Sequence, residues 1–223
     1  MKIFSPISPF FDIPSSLEGK KVSHVDIRPG EDWLIWPDSC WILSNRPVFI
    51  PDFDEYFIGV PALAGKIGRL GKTIAPKFAR RYIGSLSAAI IILSKNVEKT
   101  LEAGNIPAGS SICFDNSIIL GDWVDIDNNE IPEKPLTLRL EEFFIPDIDK
   151  EDRDAPWYDF EIKIAPESLF STIVETSRRH TLKMGDIILH PLVNYSIDLR
   201  ENENIRISIP ELSPTPILTT KFK

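Results

Sequence analysis

The apolar positions of this chain fall into short runs separated by prolines and turn residues, a pattern that predicts strands more often than helices. The longest nearly apolar run, Leu86 to Leu93, lacks alternation and is rich in isoleucine near its end. It predicts a strand buried on both faces. Leu34-Ile35-Trp36 and Trp41-Ile42-Leu43 predict two short strands around the turn residues Pro37-Asp38-Ser39, and Arg46 to Pro51 a third that ends in proline. Ser117 to Leu120, Leu136 to Phe144, Ile187 to Leu189 and Ile217 to Phe222 predict further strands, and Ile205 to Ile209 alternates as a half-buried strand does. The strongest helical pattern is Pro166 to His180. There Leu169, Phe170, Ile173 and Val174 share one face, and Arg178, Arg179 and His180 suit a C-terminal end. Pro76 to Ile83 predicts a short helix with proline in its first turn. Asn96 is expected to cap a helix over Val97 to Ala103 that stops at Gly104, and Met184-Gly185-Asp186 predicts a turn. With no internal repeat or low-complexity linker, the expected fold class is α+β, mostly β, with two or three short helices.

Composition narrows the partners. The chain has 223 residues, 43% of them apolar, enough for a sizeable core in one large domain or two small ones. A net charge of -8 and a pI near 5.0 argue against nucleic acid or a membrane surface as the principal partner. The apolar run at Leu86 is too short to span a bilayer. Lys66, Arg69, Lys72, Lys77, Arg80 and Arg81 stand out in an acidic chain; a solvated basic face is preferred here over an anion site. Met1-Lys2-Ile3-Phe4-Ser5-Pro6 does not read as a secretory signal, because prolines break the apolar segment. Two cysteines, Cys40 and Cys113, build neither a disulfide framework nor a zinc ribbon, so a reduced, cytoplasmic location is expected.

The residues offer few catalytic constellations. Trp33, Trp36 and Trp41 suit core packing better than a stacking platform, since no basic groove accompanies them. Asp122 to Glu130 invites a calcium-loop reading but lacks the turn glycine, and Leu136 stands where the bidentate glutamate belongs. It reads as an acidic surface loop, as does Asp147 to Asp154. There is no Gly-rich phosphate loop and no nucleophile elbow. His24, His180 and His190 have no partner at helical metal-ligand spacing. Cys113 suits a buried inert thiol better than a Cys-His dyad. His190, after a buried-looking strand and before Pro191, suits either a pocket lining or a satisfied histidine at a strand end.

Four stretches together resemble the fumarylacetoacetate hydrolase family. Trp36-Pro37-Asp38-Ser39 with Arg46 to Phe53 is similar to its "K-P-D-S-A" segment and the strand after it. Arg69-Leu70-Gly71-Lys72-Thr73-Ile74 is similar to its "G-K-x-I" turn, and Phe114-Asp115 with Leu120-Gly121-Asp122 to its "K-x-F-D…G" segment. Thr181-Leu182-Lys183-Met184-Gly185-Asp186-Ile187-Ile188 is similar to "T-L-x-x-G-D-I-I". The resemblance spans Trp36 to Ile209. It implies mixed β-sheets rolled into a sandwich-like barrel as in the family's C-terminal domain, usually as a dimer. Residues 52–223 would form that domain, and the Pro- and aromatic-rich residues 1–51 would pack on it as a β-rich segment.

The family's chemistry, by the same resemblance, is hydrolysis or decarboxylation beside a carbonyl of β-diketo or 2-oxo acids. A magnesium or calcium ion held by carboxylates stabilises the enolate-like charge. Carried over by register, the family's two "E-x-E" glutamates fall on Val60 and Ala62, and its aspartate on Ile91. The lysine before "x-F-D" falls on Ile112, and the threonine of "T-G-T-P" on Leu192, just past His190. Trp36 stands at a further lysine, and residues 3–16 hold neither His nor Glu to match the family's histidine. The resemblance therefore implies a family frame without catalytic or metal-ligating residues and with no cofactor. The expected role is interaction or apolar-ligand binding, as a homodimer or paired with an active relative. The alternative is an active metal-dependent hydrolase or decarboxylase whose ligands lie elsewhere, at Asp52, Asp54, Glu55 or Asp115.

Overall fold

A computed structural model of the protein describes residues 1–6, 33–104, 109–126, 131, 134–144, 158–192 and 194–223. Residues 127–130 of the acidic loop and the charged stretch 147–154 lie outside the described residues, as does His24. Among the described residues, strands dominate. β1 (Ile3–Pro6), β2 (Trp33–Trp36), β3 (Trp41–Leu43) and β4 (Pro47–Val48) precede a long hairpin of β5 (Phe57–Ile67) and β6 (Ile83–Ser94). Then come β7 (Ile118–Leu120), β8 (Val124–Asp125), β9 (Leu136–Phe144) and β10 (Tyr158–Ile164). β11 (Ile187–Pro191), β12 (Ile197–Asp198), β13 (Glu203–Ser208) and β14 (Leu218–Phe222) follow. Three helices, α1 (Lys95–Ala103), the single turn α2 (Gly109–Ile112) and α3 (Pro166–Arg179), complete the frame. The predicted α+β, mostly β class is what the chain adopts.

The strands form two mixed sheets. The larger runs β2-β1-β11-β5-β6-β7-β3, with β12 and β8 pairing the outer ends of β5 and β6. The smaller runs β10-β9-β13-β14-β4. β1 pairs β11 in parallel, β3 pairs β7 and β4 pairs β14, so residues 1–51 contribute strands to both sheets. Between the sheets, and under α3, lies a core that includes Leu63, Ile90, Leu138, Leu169, Ile207 and Phe222. α3 approaches β5 closely because Gly65 has no side chain: a Cβ there would lie 2.6 Å from Leu169. Its buried hydroxyls are satisfied locally. Thr172 and Thr176 donate to carbonyls one turn back, and Ser177 Oγ accepts the Ile74 amide at 2.8 Å.

Two local expectations are corrected and one is sharpened. The strand predicted over Arg46 to Pro51 is reduced to Pro47–Val48, since only those two residues pair β14. Pro76–Tyr82 is the expected short helix with proline in its first turn, and it is of the 3-10 kind. It has no side-chain cap and runs straight into β6, and the Ile83 amide closes on Arg80, three residues back. Asn96 does not cap the following helix. That helix begins at Lys95, and its free amides are met by Asp54, from before β5. Asp54 Oδ2 accepts the amides of Asn96 (3.0 Å) and Val97 (3.3 Å) and the Ser94 hydroxyl, and Oδ1 accepts Asn96 Nδ2 at 2.7 Å.

Burial alone would raise the Asp54 pKa; hydrogen bonds from Ser94, Tyr56, Asn96 and Val97 outweigh it and bring it down to about 2. Asp54→Ala is expected to cost about 1–2 kcal/mol in urea unfolding at neutral pH. Because the folded pKa lies below the ordinary carboxylate value, this contribution is full above about pH 4 and fades as pH falls towards 2. Equal stability of wild type and variant at pH 7 would remove Asp54 from this role.

Candidate functional site

The positions that the family resemblance marks as the metal site sit at the middle of the β5–β6 hairpin. Val60 pairs directly with Ile91, and Ala62 with Ala89. Side chains two apart on a strand share a face. Val60 and Ala62 therefore face the same way as Ala89 and Ile91, away from the sandwich core. The single turn α2 brings Ile112 over this face, and β11 adds Leu189 beside Ala64. Trp36 closes it from β2, its indole Nε1 donating to the Ile112 carbonyl at 3.0 Å. The result is a second apolar cluster in which Val60, Ala62 and Ile91 are 0% exposed and Ile112 2%.

This geometry gathers Val60, Ala62, Ile91 and Ile112, and leaves His190 and Leu192 apart from them. Along β11, Ile187 and Leu189 join the second cluster, so His190 between Leu189 and Pro191 points to the opposite face, paired with Leu63. Leu192 packs against the sandwich core and is anchored by its amide on Pro61. His190 Nδ1 is buried without a hydrogen-bond partner, and burial alone lowers the imidazole pKa to about 4. The ring is neutral at pH 7, and among the described residues no carboxylate orients it, unlike a general base held for catalysis.

A hard divalent cation requires several oxygen ligands. The second cluster offers methyl and methylene groups, and the residues gathered there do not fit magnesium or calcium. Among the described residues, no group of three His, Cys, Asp or Glu is placed to hold a metal ion. The proposed substitutes do not converge either. Asp54 is committed to the start of α1, while Asp52, Glu55 and Asp115 are exposed. Cys113 faces Cys40 across 3.9 Å, and burial together with that neighbour pushes its pKa up to about 12.

The basic run is dispersed. Lys66 lies over the Trp123 ring at 4.2 Å, Lys72 donates to the Arg179 carbonyl at 2.7 Å, and Arg80 donates to the Ile131 carbonyl. A concentration of acids that sequence reading missed lies where β9, β12 and β13 meet. Burial first, then Glu203 and Asp198, raise the Glu142 pKa to about 7 against the opposing Arg200, and the Tyr56 hydroxyl donates to Asp198 at 3.1 Å. These residues stand on separate strands, and no sequence spacing signals their meeting.

No family model and no curated protein sequence matches the chain. Solved structures match it across its whole length. A Yersinia pestis protein assigned to the fumarylacetoacetate hydrolase family superposes with a TM-score of 0.72 at 16% identity, over 100% of this chain and 92% of that one. Fumarylpyruvate hydrolase from Pseudomonas aeruginosa, solved with Mn2+ and pyruvate, gives 0.71 at 14% identity over 100% and 89%. A 5-carboxymethyl-2-hydroxymuconate delta-isomerase from Mycobacterium smegmatis gives 0.69 at 16% identity over 99% and 78%. The chain has the fold of the fumarylacetoacetate hydrolase family.

The buried imidazole carries a measurable signature. Between the ordinary histidine pKa of about 6.5 and the folded value of about 4, the unfolded chain binds a proton that the folded chain excludes. Stability at this residue therefore falls as pH drops through that window, by up to about 1.4 kcal/mol per pH unit. Urea unfolding of wild type and His190→Leu between pH 7.5 and 4.5 is expected to show this component in the wild type alone. Parallel curves would place the imidazole in contact with water or a partner.

Proposed function

We propose that this protein is a fumarylacetoacetate-hydrolase-like chain without metal-dependent catalysis, and that its role is one of interaction. The observation that carries this reading is the closed apolar cluster at the middle of β5 and β6. Its residues, Val60, Ala62, Ile91 and Ile112, occupy the positions where the resemblance calls for two glutamates, an aspartate and a lysine. An ion entering there would exchange water oxygens for hydrocarbon, with no carboxylate among the described residues of the cluster to offset the lost hydration. Because the cluster is closed, it favours interaction over apolar-ligand binding. The Mn2+ and pyruvate of the Pseudomonas aeruginosa hydrolase have no counterpart in this proposal.

An interaction role has a candidate surface between β4 and β5. Phe49 is 68% exposed and Phe53 49%. The Phe53 ring is held edge-on against Phe57 and Phe114, with centroids 5.3 and 5.2 Å apart. A large apolar ring fixed by its neighbours loses little freedom when a partner covers it. Homodimerisation, or pairing with an active relative, is the association we propose. Light scattering at micromolar concentration is expected to give twice the chain mass, and Phe53→Ser to shift it towards one. A monomeric wild type would remove the homodimer.

The metal reading is tested on the wild-type protein. A ligand that binds the folded state at a hundred times its Kd adds about 2.7 kcal/mol of stability. Millimolar magnesium, calcium or manganese is expected to leave the melting temperature where sodium chloride of equal ionic strength puts it. A saturable rise reversed by EDTA would overturn the proposal, as would turnover of a β-diketo or 2-oxo acid. In the converse direction, Ile91→Asp is expected to destabilise by a few kcal/mol, since a lone buried acid has no partner. Adding Val60→Glu and Ala62→Glu deepens the loss, and manganese then restores part of it.

A further inference from the structure

Cys40 and Cys113 are 73 positions apart in sequence, and their sulfurs are 3.9 Å apart. Both are free thiols; Cys40 is buried at 2% exposure and Cys113 is half-buried. The segments that carry them are fastened to one another on both sides of the pair. Before it, Trp36 Nε1 donates to the Ile112 carbonyl at 3.0 Å. After it, the Asn116 amide donates to the Ser39 carbonyl at 3.3 Å, and β3 pairs β7 from Trp41↔Ile118 to Leu43↔Leu120. Each cysteine backbone is itself held within a turn, the Cys40 amide on Pro37 and the Cys113 amide on Gly109. Two thiols presented by interlocked backbones, with sulfurs 3.9 Å apart, lie close to the bonding distance of about 2 Å.

We propose that Cys40 and Cys113 form a reversible disulfide, with a low-molecular-weight disulfide as the oxidant, that locks the second apolar cluster shut. The half-buried Cys113 loses its proton to solvent, and its thiolate attacks one sulfur of the small disulfide. One small thiolate leaves, and a mixed disulfide remains on Cys113. Cys40, deprotonated in turn, attacks the Cys113 sulfur, forming the Cys40–Cys113 bond and releasing the second small thiolate. The protein pair loses two electrons and two protons; the small disulfide gains them as two thiols. The thiolate is scarce at neutral pH because burial and Cys40 push the Cys113 thiol up to about 12. The reaction is therefore slow and accelerates in alkaline solution. The bond ties the Trp36 side of the cluster to the Ile112 side, and so fixes covalently an arrangement that the reduced protein holds by packing and hydrogen bonds alone. None of this depends on whether the metal site is lost.

The test uses the reduced full-length protein and millimolar oxidised glutathione at mildly alkaline pH, followed by denaturing alkylation and intact-mass measurement. The expected product has monomer mass less two hydrogen atoms, no glutathione adduct and no alkylatable thiol, and a peptide map joins Cys40 to Cys113. Oxidised wild type is expected to melt about 5–10 °C above reduced wild type, because a long loop is closed, with dithiothreitol reversing the shift. C113S and C40S each abolish the crosslink; the oxidised-against-reduced comparison of the wild type needs neither variant to fold. A persistent glutathione adduct on Cys113 would overturn the proposal. So would two alkylatable thiols in the folded protein under conditions that oxidise the urea-unfolded chain.

Discussion

The pairing of β5 with β6 is the constraint on which the rest of the molecule depends. The two strands run antiparallel from Phe57↔Ser94 to Ile67↔Ile83, with one register shift near Lys66. Everything else in the larger sheet is added outward from this hairpin, β11 and β12 on β5 and β7 and β8 on β6. Its two faces belong to two different apolar clusters. Leu63, Ala88, Ile90 and Ile92 enter the sandwich, while Val60, Ala62, Ala89 and Ile91 enter the smaller cluster under Trp36 and Ile112. A hairpin buried on both sides tolerates no unpaired charge on either.

That constraint has opposite meanings for the two uses of this fold. In a metal enzyme, carboxylates on one face are acceptable because a cation neutralises them. In this chain the positions that the resemblance aligns with those carboxylates are apolar together. Replacing one acid by valine would leave other carboxylates facing one another in a buried space; replacing all of them gives a continuous packed surface. The indole of Trp36 completes it, and its one polar atom is satisfied by the Ile112 carbonyl. The smaller cluster is packed as a core is, with Val60, Ala62 and Ile91 fully buried.

Much of the frame was legible in the chain because its cues are local. Leu86 to Leu93 announces a two-sided strand by its lack of alternation, and Pro166 to Arg179 announces a helix by the spacing of Leu169, Ile173 and Val174. The convergence of Val60 and Ala62 follows from the two-residue period of a strand. Their opposition to Ile91 does not, since register is set by pairing across the hairpin. The separation of His190 from this group was in principle readable: it is adjacent to Leu189, and neighbours on a strand face opposite ways. Other features had no local signal. The cap of α1 comes from Asp54, 42 positions before Asn96, and the acids around Glu142 meet from three strands. Pro76 to Tyr82 has helical composition, but the immediate start of β6 tightens its turns.

The order in which the sheets are completed bears on how the chain is made. During synthesis the β5–β6 hairpin emerges early, with its apolar faces and the outer edge of β5 uncovered. The strand that pairs that edge, β11, begins 120 residues after β5 ends, from Ile67 to Ile187. At ordinary elongation rates this is an interval on the order of 10 s. β1, made earlier still, has β2 as an early partner on one edge, but its other edge waits for β11. Throughout that interval the nascent chain presents one of its most apolar segments as an open strand edge, the kind of surface that pairs with other chains. A ribosome stalled before Ile187 would release a fragment whose exposed edge makes it a client for chaperones and a seed for aggregation.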